Sequence, residues 1–413
     1  MLKQSEVLQS KMNANAVNLC KAQRKENEMI KLGIIGIGNM GTTHSKNIFE
    51  GKCPEIELSA VCDLRDDRTE WIKNEHPEVA IFKDAEEMMD SGKIDSVLIC
   101  VPHYDHPTLA IMAMKKGLHT LIEKPAGVYT KHVLEMNKVA DECNVVFGIM
   151  MNQRTNCVYR KMRELIKSGE FGEIKRTSWI ITDWYRPQAY YDSGDWRATW
   201  SGEGGGVLLN QCPHNLDLYQ WICGMPTKVH AKMFFGKHHD IEVEDDVTSY
   251  WEFENGATGT FVTSTGDVPG TNRLEVLLEG AKLLCENGTV KMWKLEMFEK
   301  EFSKTSTVAF SAPQMEYVEV ETDGKNEQHV GVLNSFAGAI LRGEPLVADG
   351  REGINGLTIS NALHMSGFLG KEIELKDFDH DLYYEELSKR IATSRRKTTV
   401  NDSIAGNMGD SFR

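Results

Sequence analysis

The sequence predicts an α/β protein with a doubly wound parallel sheet in its N-terminal part, followed by an α+β domain with a mostly antiparallel open sheet. Up to residue 150, short apolar runs alternate with helical stretches, as parallel strands covered on both faces require. After residue 226, strand-like runs follow one another with turn residues between them, which favours antiparallel pairing. A chain of 413 residues also exceeds what one hydrophobic core usually serves. We therefore expect two domains, at residues 29–150 and 151–375.

The first domain is predicted from runs of mostly apolar residues. Its strands are expected at Lys31–Ile35, Ile56–Cys62, Ser96–Val101, Thr120–Ile122 and Val145–Met150. Helical patterns lie between them, for example at Pro107–Lys116 and Lys131–Cys143. This alternation of strands and helices is typical of a nucleotide-binding sheet.

The second domain is predicted from a longer series of strands. A helix at Asn156–Ser168, a strand at Lys175–Trp184 and a helix at Asn210–Ile222 come first. Six further strands are expected at Thr227–Phe235, Asp246–Phe253, Thr258–Ser264, Arg273–Glu279, Lys282–Glu286 and Thr289–Lys294. Helices at about Glu327–Arg342 and Glu352–Gly367 are expected to close this domain.

Two polar segments flank the predicted domains. Residues 1–28 are expected to form a disordered or partly helical arm, with a helix that contacts another subunit as the alternative. Residues 376–413 form a charged tail, in which Leu382–Ile391 is a possible helix and the end is expected to be loose.

Composition excludes several classes of function. The net charge is −14, from 47 Lys+Arg against 61 Asp+Glu. This charge disfavours nucleic acid as a binding partner and mildly favours neutral substrates. No apolar run approaches the length of a membrane span, and the N-terminus lacks the apolar stretch of a signal peptide. Nine cysteines occur without a C-x-x-C pair, so we expect no disulfide framework and a reducing, cytoplasmic location.

A glycine-rich turn after the first strand predicts a dinucleotide site. Gly36, Gly38 and Gly41, with Asn39 and Met40 between them, form G-x-G-x-x-G at the start of a helix. In such a Rossmann turn the glycines admit a pyrophosphate at the N-terminus of the helix, where free N–H groups face it.

The acid that follows the second strand indicates which dinucleotide binds. Asp63 is placed to accept hydrogen bonds from the ribose hydroxyls and to repel a 2′-phosphate, which predicts NAD as the cofactor. Arg65 lies two residues further on and could weaken that preference.

A second motif gives the sequence its family resemblance. Cys100-Val101-Pro102-His103-Tyr104-Asp105-His106 is followed by a helix and by a strand that ends in Glu123-Lys124-Pro125. From about Lys31 to Leu375 the chain resembles the glucose–fructose oxidoreductase, inositol dehydrogenase and rhizopine-catabolism (Gfo/Idh/MocA) family.

The resemblance implies roles for several of these residues. Lys124 is expected beside the nicotinamide and the reacting hydroxyl, oriented by Glu123. The position of Lys124 at the carboxyl end of a buried strand agrees independently, because ligands bind there in doubly wound sheets. Pro102 and His106 are expected in the turn beside the cofactor, although a structural role for His106 is an equal alternative.

The family pattern D-x-x-x-H-x-x-D has its counterpart after a run of glycines. Here it reads Asn210, His214 and Asp217, and the spacing predicts one helical face for all three. The resemblance implies that His214 accepts the proton when a hydroxyl loses hydride, a role that suits imidazole. Because Asn210 replaces the usual acid, Asp217 is expected to pair with His214, or Lys124 takes a larger share of the proton transfer. This form resembles family members that act on sugars and glycosides.

Aromatic and arginine residues near both motifs suggest substrate contacts. Tyr185 and Arg197 are chosen as substrate contacts, with Asn210, His214 and Lys124, since aromatic faces and guanidinium groups suit sugars. His238-His239-Asp240 is interpreted as a solvated loop, and no metal site is expected.

The sequence thus predicts an NAD-dependent oxidoreductase that oxidises a hydroxyl of a sugar, polyol or glycoside. A redox-neutral glycoside-cleaving enzyme with bound NAD is one alternative, and a ligand-sensing protein without catalysis is another. We expect a homo-oligomer, a dimer or larger, because the predicted open sheet would offer an exposed face.

Overall fold

The protein is described by a computed structural model that covers residues 29–395. The expectations for the arm at residues 1–28 and for the end of the tail after residue 395 lie outside the described residues. The helix expected at Leu382–Ile391 lies inside them and runs slightly longer than predicted, from His380 to Ala392.

The first part of the chain forms the parallel sheet that its apolar runs predict. Its elements are β1 (Ile30–Ile35), α1 (Asn39–Phe49), β2 (Ile56–Cys62), α2 (Asp66–Glu75), β3 (Ala80–Phe82), α3 (Ala85–Asp90), β4 (Ser96–Ile99), α4 (His106–Lys115), β5 (His119–Ile122), α5 (Thr130–Glu142) and β6 (Phe147–Ile149). The six strands are all parallel, in the order β3-β2-β1-β4-β5-β6. Strand order reverses between β1 and β4, which opens a crevice at the carboxyl ends of these strands.

The second part alternates far less between strands and helices. Its elements are α6 (Cys157–Lys167), β7 (Ile174–Ile181), α7 (Gln188–Asp192), α8 (Pro213–Cys223), β8 (Lys228–Phe235), β9 (Glu244–Glu252), β10 (Thr258–Ser264), β11 (Asn272–Leu278), β12 (Ala281–Glu286), β13 (Thr289–Leu295), α9 (Glu299–Thr305), β14 (Met315–Val320), α10 (Gln328–Arg342), α11 (Gly353–Leu369), β15 (Ile373–Glu374) and α12 (His380–Ala392). Short 3-10 turns lie at His103–Asp105, Asn152–Thr155 and Gly350–Glu352.

The second sheet has nine strands in the order β14-β13-β12-β11-β7-β10-β9-β8-β15. Neighbouring strands are antiparallel except for the parallel pair β7 and β10, so the prediction of a mostly antiparallel sheet is confirmed. One face packs against helices through a core that includes Trp179, Trp251 and Phe261. The other face carries exposed apolar side chains, among them Ile180 and Tyr250.

Helix α10 was expected to close the second domain, and this expectation is wrong. Val332, Leu333 and Phe336 of α10 are buried in one cluster with residues of β1, so the helix covers the first sheet. The chain that follows α10 then runs along β6, where Asp349 forms a bridge with Gly148. Amphipathic spacing shows that a helix buries one face, but it does not identify the surface that the helix packs on.

The sequence analysis also missed several short elements. Strand β3 has three residues and β15 has two, which is too short for a periodic pattern to be recognised. Strand β14 and helix α9 are largely exposed and rich in charged residues, so neither shows a clear apolar face.

Neither a membrane-spanning helix nor a disulfide occurs among the described residues. Within residues 29–395, no helix has both the length and the apolar character needed to cross a bilayer. The eight cysteines in this range are free thiols, and five of them are buried.

Candidate active site

The glycine turn between β1 and α1 has the geometry that a dinucleotide needs. Gly36 has φ +91°, and a Cβ there would lie 2.7 Å from the carbonyl oxygen of Cys100. A Cβ at Gly41 would collide with the carbonyl oxygen of Gly36. A Cβ at Gly38, in contrast, would meet only the tip of Arg68, at 3.6 Å, so this side of the turn is open. The turn therefore needs glycine for its own shape at two positions and leaves space for a ligand at the third.

The N-terminus of α1 can receive the phosphates of a dinucleotide. Asn39 and Met40 begin the helix, whose first turn has no acidic residue and no capping side chain. Their backbone N–H groups have no partner within the helix, and they carry the positive end of its dipole. The residues present thus fit a pyrophosphate.

Asp63 lies at the end of β2, beside this turn, and is only 8% exposed. Its carboxylate accepts hydrogen bonds from the backbone N–H groups of Ile37, at 2.7 Å, and Arg65, at 2.9 Å. The Arg65 side chain forms an ion pair with Asp67. Arg68, which the sequence analysis did not single out, has a guanidinium nitrogen 3.6 Å from the Asp63 carboxylate. Of these two arginine side chains, that of Arg68 contacts the Asp63 carboxylate and lies near Gly38.

Lys124 follows β5 and projects towards the second domain. Its Nζ donates a hydrogen bond to the backbone carbonyl oxygen of Asn210, at 3.1 Å. Burial lowers the pKa of Lys124, and the charges of Arg197 and Arg186 act in the same direction, whereas Glu123 and Glu203 oppose them. A lysine held in this way can exchange a proton more readily than a solvated one.

Glu123 was expected to orient Lys124. The hydrogen bonds of its carboxylate reach the backbone of Lys124 and not the ammonium group. One carboxylate oxygen lies 2.8 Å from Nε2 of His44, and the other accepts the backbone N–H of Lys124 at 3.1 Å. Burial opposes ionisation of Glu123, but the His44 hydrogen bond and the nearby charges outweigh it and hold the pKa at about 2. Glu123 therefore fixes the backbone at Lys124, and its negative charge stabilises the ammonium from a distance.

His106 connects the two turns that flank the predicted nicotinamide position. Its Nδ1 lies 2.7 Å from the carbonyl oxygen of Pro125, and its Nε2 lies 2.8 Å from that of Val101. Its side chain is buried, which supports the structural alternative over direct contact with the cofactor. Pro102 is exposed at the turn itself.

His214 lines a cavity of about 440 Å³, and the other lining residues also belong to the second part of the chain. Its Nδ1 is buried and has no hydrogen-bond partner among residues 29–395, and the same is true of Oδ1 of the adjacent Asn215. Burial lowers the pKa of His214 far below its usual value, and the charge of Lys124 adds to this effect. The structure thus brings the imidazole and the amine close enough to influence each other, next to a polar cavity that can hold a hydroxylated ligand.

Asn210 and Asp217 are arranged differently from the prediction. Helix α8 begins at Pro213, so Asn210 lies in the preceding turn and not on the same helical face as His214. The amide of Asn210 donates to the Glu203 carboxylate.

The expected pairing of Asp217 with His214 is wrong. Both carboxylate oxygens of Asp217 accept from Arg154, at 2.7 and 2.8 Å, and the two side chains are each 2% exposed. A carboxylate held by two such bonds serves the packing of α8 and is not available to an imidazole.

His329 also lines the cavity, and the sequence analysis missed it. It follows Gln328 at the start of α10, and its ring meets that of His44 edge-on, with 5.4 Å between centres. Burial lowers its pKa to about 4. No motif surrounds His329, and only the return of α10 to the first sheet brings it to the site.

The predicted substrate contacts in the second domain differ in their surroundings. Tyr185 is 47% exposed, and its neighbour Trp184 lines the cavity instead. Arg197 is partly buried, and its guanidinium donates to the hydroxyl of Tyr190 at 2.9 Å. Tyr190 was not predicted, although it lies in α7 within the same aromatic stretch of sequence.

One group of potential metal ligands occurs in the described residues. Ligand atoms of His44, Cys100 and Glu123 lie within 4.8 Å of one another, but the hydrogen bond between His44 and Glu123 already joins two of them. Burial raises the pKa of the Cys100 thiol well above its usual value, which disfavours metal binding. His239 does not lie in a solvated loop as expected, because its ring is buried between Asp245 and the carbonyl oxygen of Arg186.

Comparison with known proteins identifies the family. Residues 30–151 match the model of an oxidoreductase family with an NAD-binding Rossmann fold, and residues 159–284 match the GFO/IDH/MocA C-terminal domain. The chain belongs to the Gfo/Idh/MocA oxidoreductase family.

Relatives in this family extend over most of the chain. A myo-inositol 2-dehydrogenase from Thermotoga maritima is 22% identical over 356 residues, which cover 84% of this chain and 99% of the relative. A D-glucoside 3-dehydrogenase from Escherichia coli is 26% identical over 247 residues, covering 55% of this chain and 68% of the relative. The WlbA dehydrogenase from Bordetella pertussis, solved with NADH and UDP-GlcNAcA, has a TM-score of 0.71 and 24% identity, covering 85% of this chain and 99% of that one.

As a member of the Gfo/Idh/MocA family, the protein is an oxidoreductase whose Rossmann domain binds NAD. The glycine turn and the N-terminus of α1 would hold the pyrophosphate, with Asp63 near the adenosine ribose. When bound, the nicotinamide supplies an acceptor for hydride. Lys124 and His214 are the two basic side chains that the structure brings near each other at this site.

Proposed function

We propose that this protein is a dehydrogenase that oxidises a hydroxyl group of a sugar, polyol or glycoside, with NAD as the hydride acceptor. The observation that carries the proposal is the imidazole of His214, which lines a polar cavity of about 440 Å³ and lies close enough to Lys124 to feel its charge. A ligand hydroxyl that donates to this imidazole from the cavity would have its proton in position for removal.

The two basic groups have complementary parts in the reaction. His214 with a lowered pKa is neutral at neutral pH and can accept the hydroxyl proton. Lys124 presents an ammonium that stabilises the oxygen as negative charge develops on it, and it can relay the proton. Asn210 holds Lys124 through its backbone carbonyl oxygen.

Substrates of the relatives support the chemical class. The relatives named above are a dehydrogenase of myo-inositol and a dehydrogenase of D-glucosides, and the WlbA structure contains the sugar nucleotide UDP-GlcNAcA. Each of these compounds has a ring with several secondary hydroxyls. We infer that this protein acts on a ring hydroxyl of the same kind, bound in the cavity of His214 and Trp184.

A panel of purified compounds tests the proposal. The full-length protein is incubated with NAD and with inositols, free sugars and glycosides, and NADH is followed by its absorbance at about 340 nm. We expect at least one ring alcohol to reduce NAD with saturation kinetics. The proposal is wrong if a protein that binds NADH oxidises none of these classes.

We also propose that the protein is a cytoplasmic homo-oligomer, with cofactor bound by residues 29–150 and substrate by residues 151–375. The open face of the nine-stranded sheet supports self-association, because Ile180 on β7 and Tyr250 on β9 are 37% and 44% exposed there. The free thiols agree with a reducing compartment. Light scattering coupled to gel filtration measures the assembly, and a strictly monomeric protein would refute it.

A further inference from the structure

Two arginines lie close to the ring of one tyrosine at the edge of the candidate active site. The guanidinium of Arg186 lies 5.3 Å from the ring centre of Tyr190, and that of Arg197 lies 4.6 Å from it. Arg197 also donates to the Tyr190 hydroxyl at 2.9 Å. The aromatic ring thus holds two positive charges near each other, where they repel.

Neither guanidinium forms an ion pair with an acid within residues 29–395. Other arginines of the protein do form such pairs, for example Arg160 with Asp323 and Arg342 with Glu55. The hydrogen bonds found for Arg186 and Arg197 are to neutral oxygens, the carbonyl of Tyr185 and the hydroxyl of Tyr190. Guanidinium groups are suited to carboxylate and phosphate oxygens, which these two lack.

The backbone fixes both arginines in place. The N–H of Arg186 donates to the carbonyl oxygen of Thr265 at 3.0 Å, and the buried ring of His239 lies 2.8 Å from the carbonyl oxygen of Arg186. Arg197 precedes Ala198, whose φ is +53° and whose N–H donates to the Glu203 carboxylate at 2.7 Å. The backbone at both arginines is therefore held in place, and the side chains are positioned by their contacts with Tyr190 and with the carbonyl oxygen of Tyr185.

The pair is connected to Lys124 through Tyr190. The Tyr190 hydroxyl lies 3.4 Å from the side-chain oxygen of Asn210, whose backbone oxygen accepts from Lys124 at 3.1 Å. The charges of Arg197 and Arg186 both act on Lys124 and lower its pKa in addition to the effect of burial. Three cationic side chains thus lie around one end of the site.

Two acids lie near this group but do not compensate it fully. The Glu203 carboxylate is bound by the N–H of Ala198 and the amide of Asn210, and burial raises its pKa. Asp183 lines the cavity, and burial raises its pKa as well. Burial thus disfavours the negative charge of both acids, whereas the three cations remain close together.

We propose that the arginine pair, Arg186 and Arg197, binds an anionic group of the substrate, either a carboxylate or a phosphate ester carried by the sugar. This inference rests on the proposed function and narrows its substrate class to acidic sugars. It reverses the expectation from the net charge of −14, because two guanidiniums in contact with a ligand outweigh screened charges on the distant surface. The anion would contact the arginines while a ring hydroxyl reaches His214 and Lys124.

Matched pairs of substrates test the proposal on the full-length wild-type protein. Glucose, glucuronate and glucose 6-phosphate are compared with NAD, as are galactose and galacturonate, so that the charged group is the main difference within a set. We expect kcat/KM to be on the order of tenfold or more higher for an acidic member than for its neutral partner. The carboxylate and phosphate arms distinguish the two sources of the anion.

Arginine variants test the residues themselves. R186Q and R197Q should each raise KM for the acidic sugar by roughly tenfold or more and change KM for the neutral partner by much less. Arg176→Gln is the matched control, because Arg176 is exposed on β7, and we expect it to leave both substrates unaffected. Binding of the acidic sugar to the NADH complex, followed by isothermal titration calorimetry, gives a readout that does not need turnover.

The outcomes separate this inference from the proposed function. If neutral sugars are oxidised as well as or better than their acidic partners, or if R186Q and R197Q affect both alike, the anion subsite is refuted and the dehydrogenase assignment stands. If neither acidic nor neutral ring alcohols reduce NAD, the proposed function itself fails.

Discussion

Lys124 and Asn210 form the contact that aligns the two parts of the site. The amine comes from the carboxyl end of β5 in the first sheet, and it donates to a backbone oxygen in the turn before α8 at 3.1 Å. His214 lies four residues beyond that oxygen, within the first turn of α8. A side chain that follows the first sheet is thus held by the backbone just before the helix that carries His214, so in the proposed mechanism the packing of the two parts and proton transfer depend on the same hydrogen bond.

Replacement of Lys124 by alanine tests the electrostatic role. We expect K124A to lower turnover by on the order of a hundredfold or more, since the ammonium stabilises charge that develops in the transition state. Binding of NADH, measured by fluorescence, should remain close to wild type because the glycine turn is untouched. Lys131→Ala is the control, because Lys131 forms a surface pair with Asp381. Near-normal turnover of K124A would contradict the assignment.

Replacement of His214 by glutamine tests the base and its pKa. We expect H214Q to lose roughly a hundredfold or more in kcat, as general bases usually contribute.

In the wild type, burial and the charge of Lys124 lower the pKa of His214 far below 6.5. The base is therefore unprotonated at neutral pH, and kcat/KM of the wild type should stay level as pH falls through 6.5. A loss of activity centred at the ordinary histidine pKa would mean that this imidazole is solvated or is not the base.

The first sheet was predictable because burial on both faces leaves a continuous apolar run. Strand β2 has the predicted bounds of Ile56–Cys62 for this reason. The start of α8 was predicted three residues early, although Pro213 is a common first residue of helices. The turn before it is held by Glu244, whose carboxylate accepts from the N–H groups of Gly206 and Leu208.

The contacts that the sequence analysis missed or assigned wrongly join residues that are distant along the chain. Arg154 reaches Asp217 across 63 positions, and His329 reaches the cavity because α10 packs on the first sheet. Local periodicity contains no information about such partners. The motifs indicated which residue types could carry out the chemistry, and tertiary packing determined which of them are free to do so.

Replacement of Asp63 tests cofactor choice. D63A removes the carboxylate that repels a 2′-phosphate and leaves Arg68, now 3.6 Å from that carboxylate, able to pair with the phosphate. We expect the ratio of kcat/KM for NADP to that for NAD to rise by roughly tenfold or more. In the double variant with Arg68→Gln most of this gain should disappear. An unchanged ratio in D63A would show that Asp63 serves only the backbone of the turn.

Acidification should destabilise the protein well above the pH range in which carboxylates titrate. Burial lowers the pKa of His103, His106, His214 and His329, in the last case to about 4. The unfolded chain binds protons at these residues below about pH 6.5 while the folded protein does not, so their stabilising effect is complete above 6.5 and is lost as pH falls. Each such histidine contributes a slope of about 1.4 kcal/mol per pH unit.

Thermal unfolding between pH 8 and pH 4.5 measures this dependence. We expect Tm to be level above pH 6.5 and to fall below it, and we expect H329N to fall less steeply because one of the four histidines is removed. Constant stability down to pH 5 would be incompatible with neutral buried histidines.

Replacement of Asp217 by asparagine distinguishes a structural role of this residue from a catalytic one. In D217N the buried Arg154 loses the carboxylate that binds it through two hydrogen bonds. Glu352, 2.8 Å away, remains as its acidic partner. Breaking a buried pair in this way generally costs roughly 3–5 kcal/mol, and we expect the lower end because Glu352 remains. Asp323→Asn removes the exposed partner of Arg160 and should cost less than about 1 kcal/mol. Denaturant unfolding gives both values. Because the Asp217 carboxylate is bonded to Arg154 and Gln220 and not to His214, the pH profile of kcat in folded D217N should match the wild type. A shifted profile with unchanged stability would instead make Asp217 the partner of the catalytic imidazole.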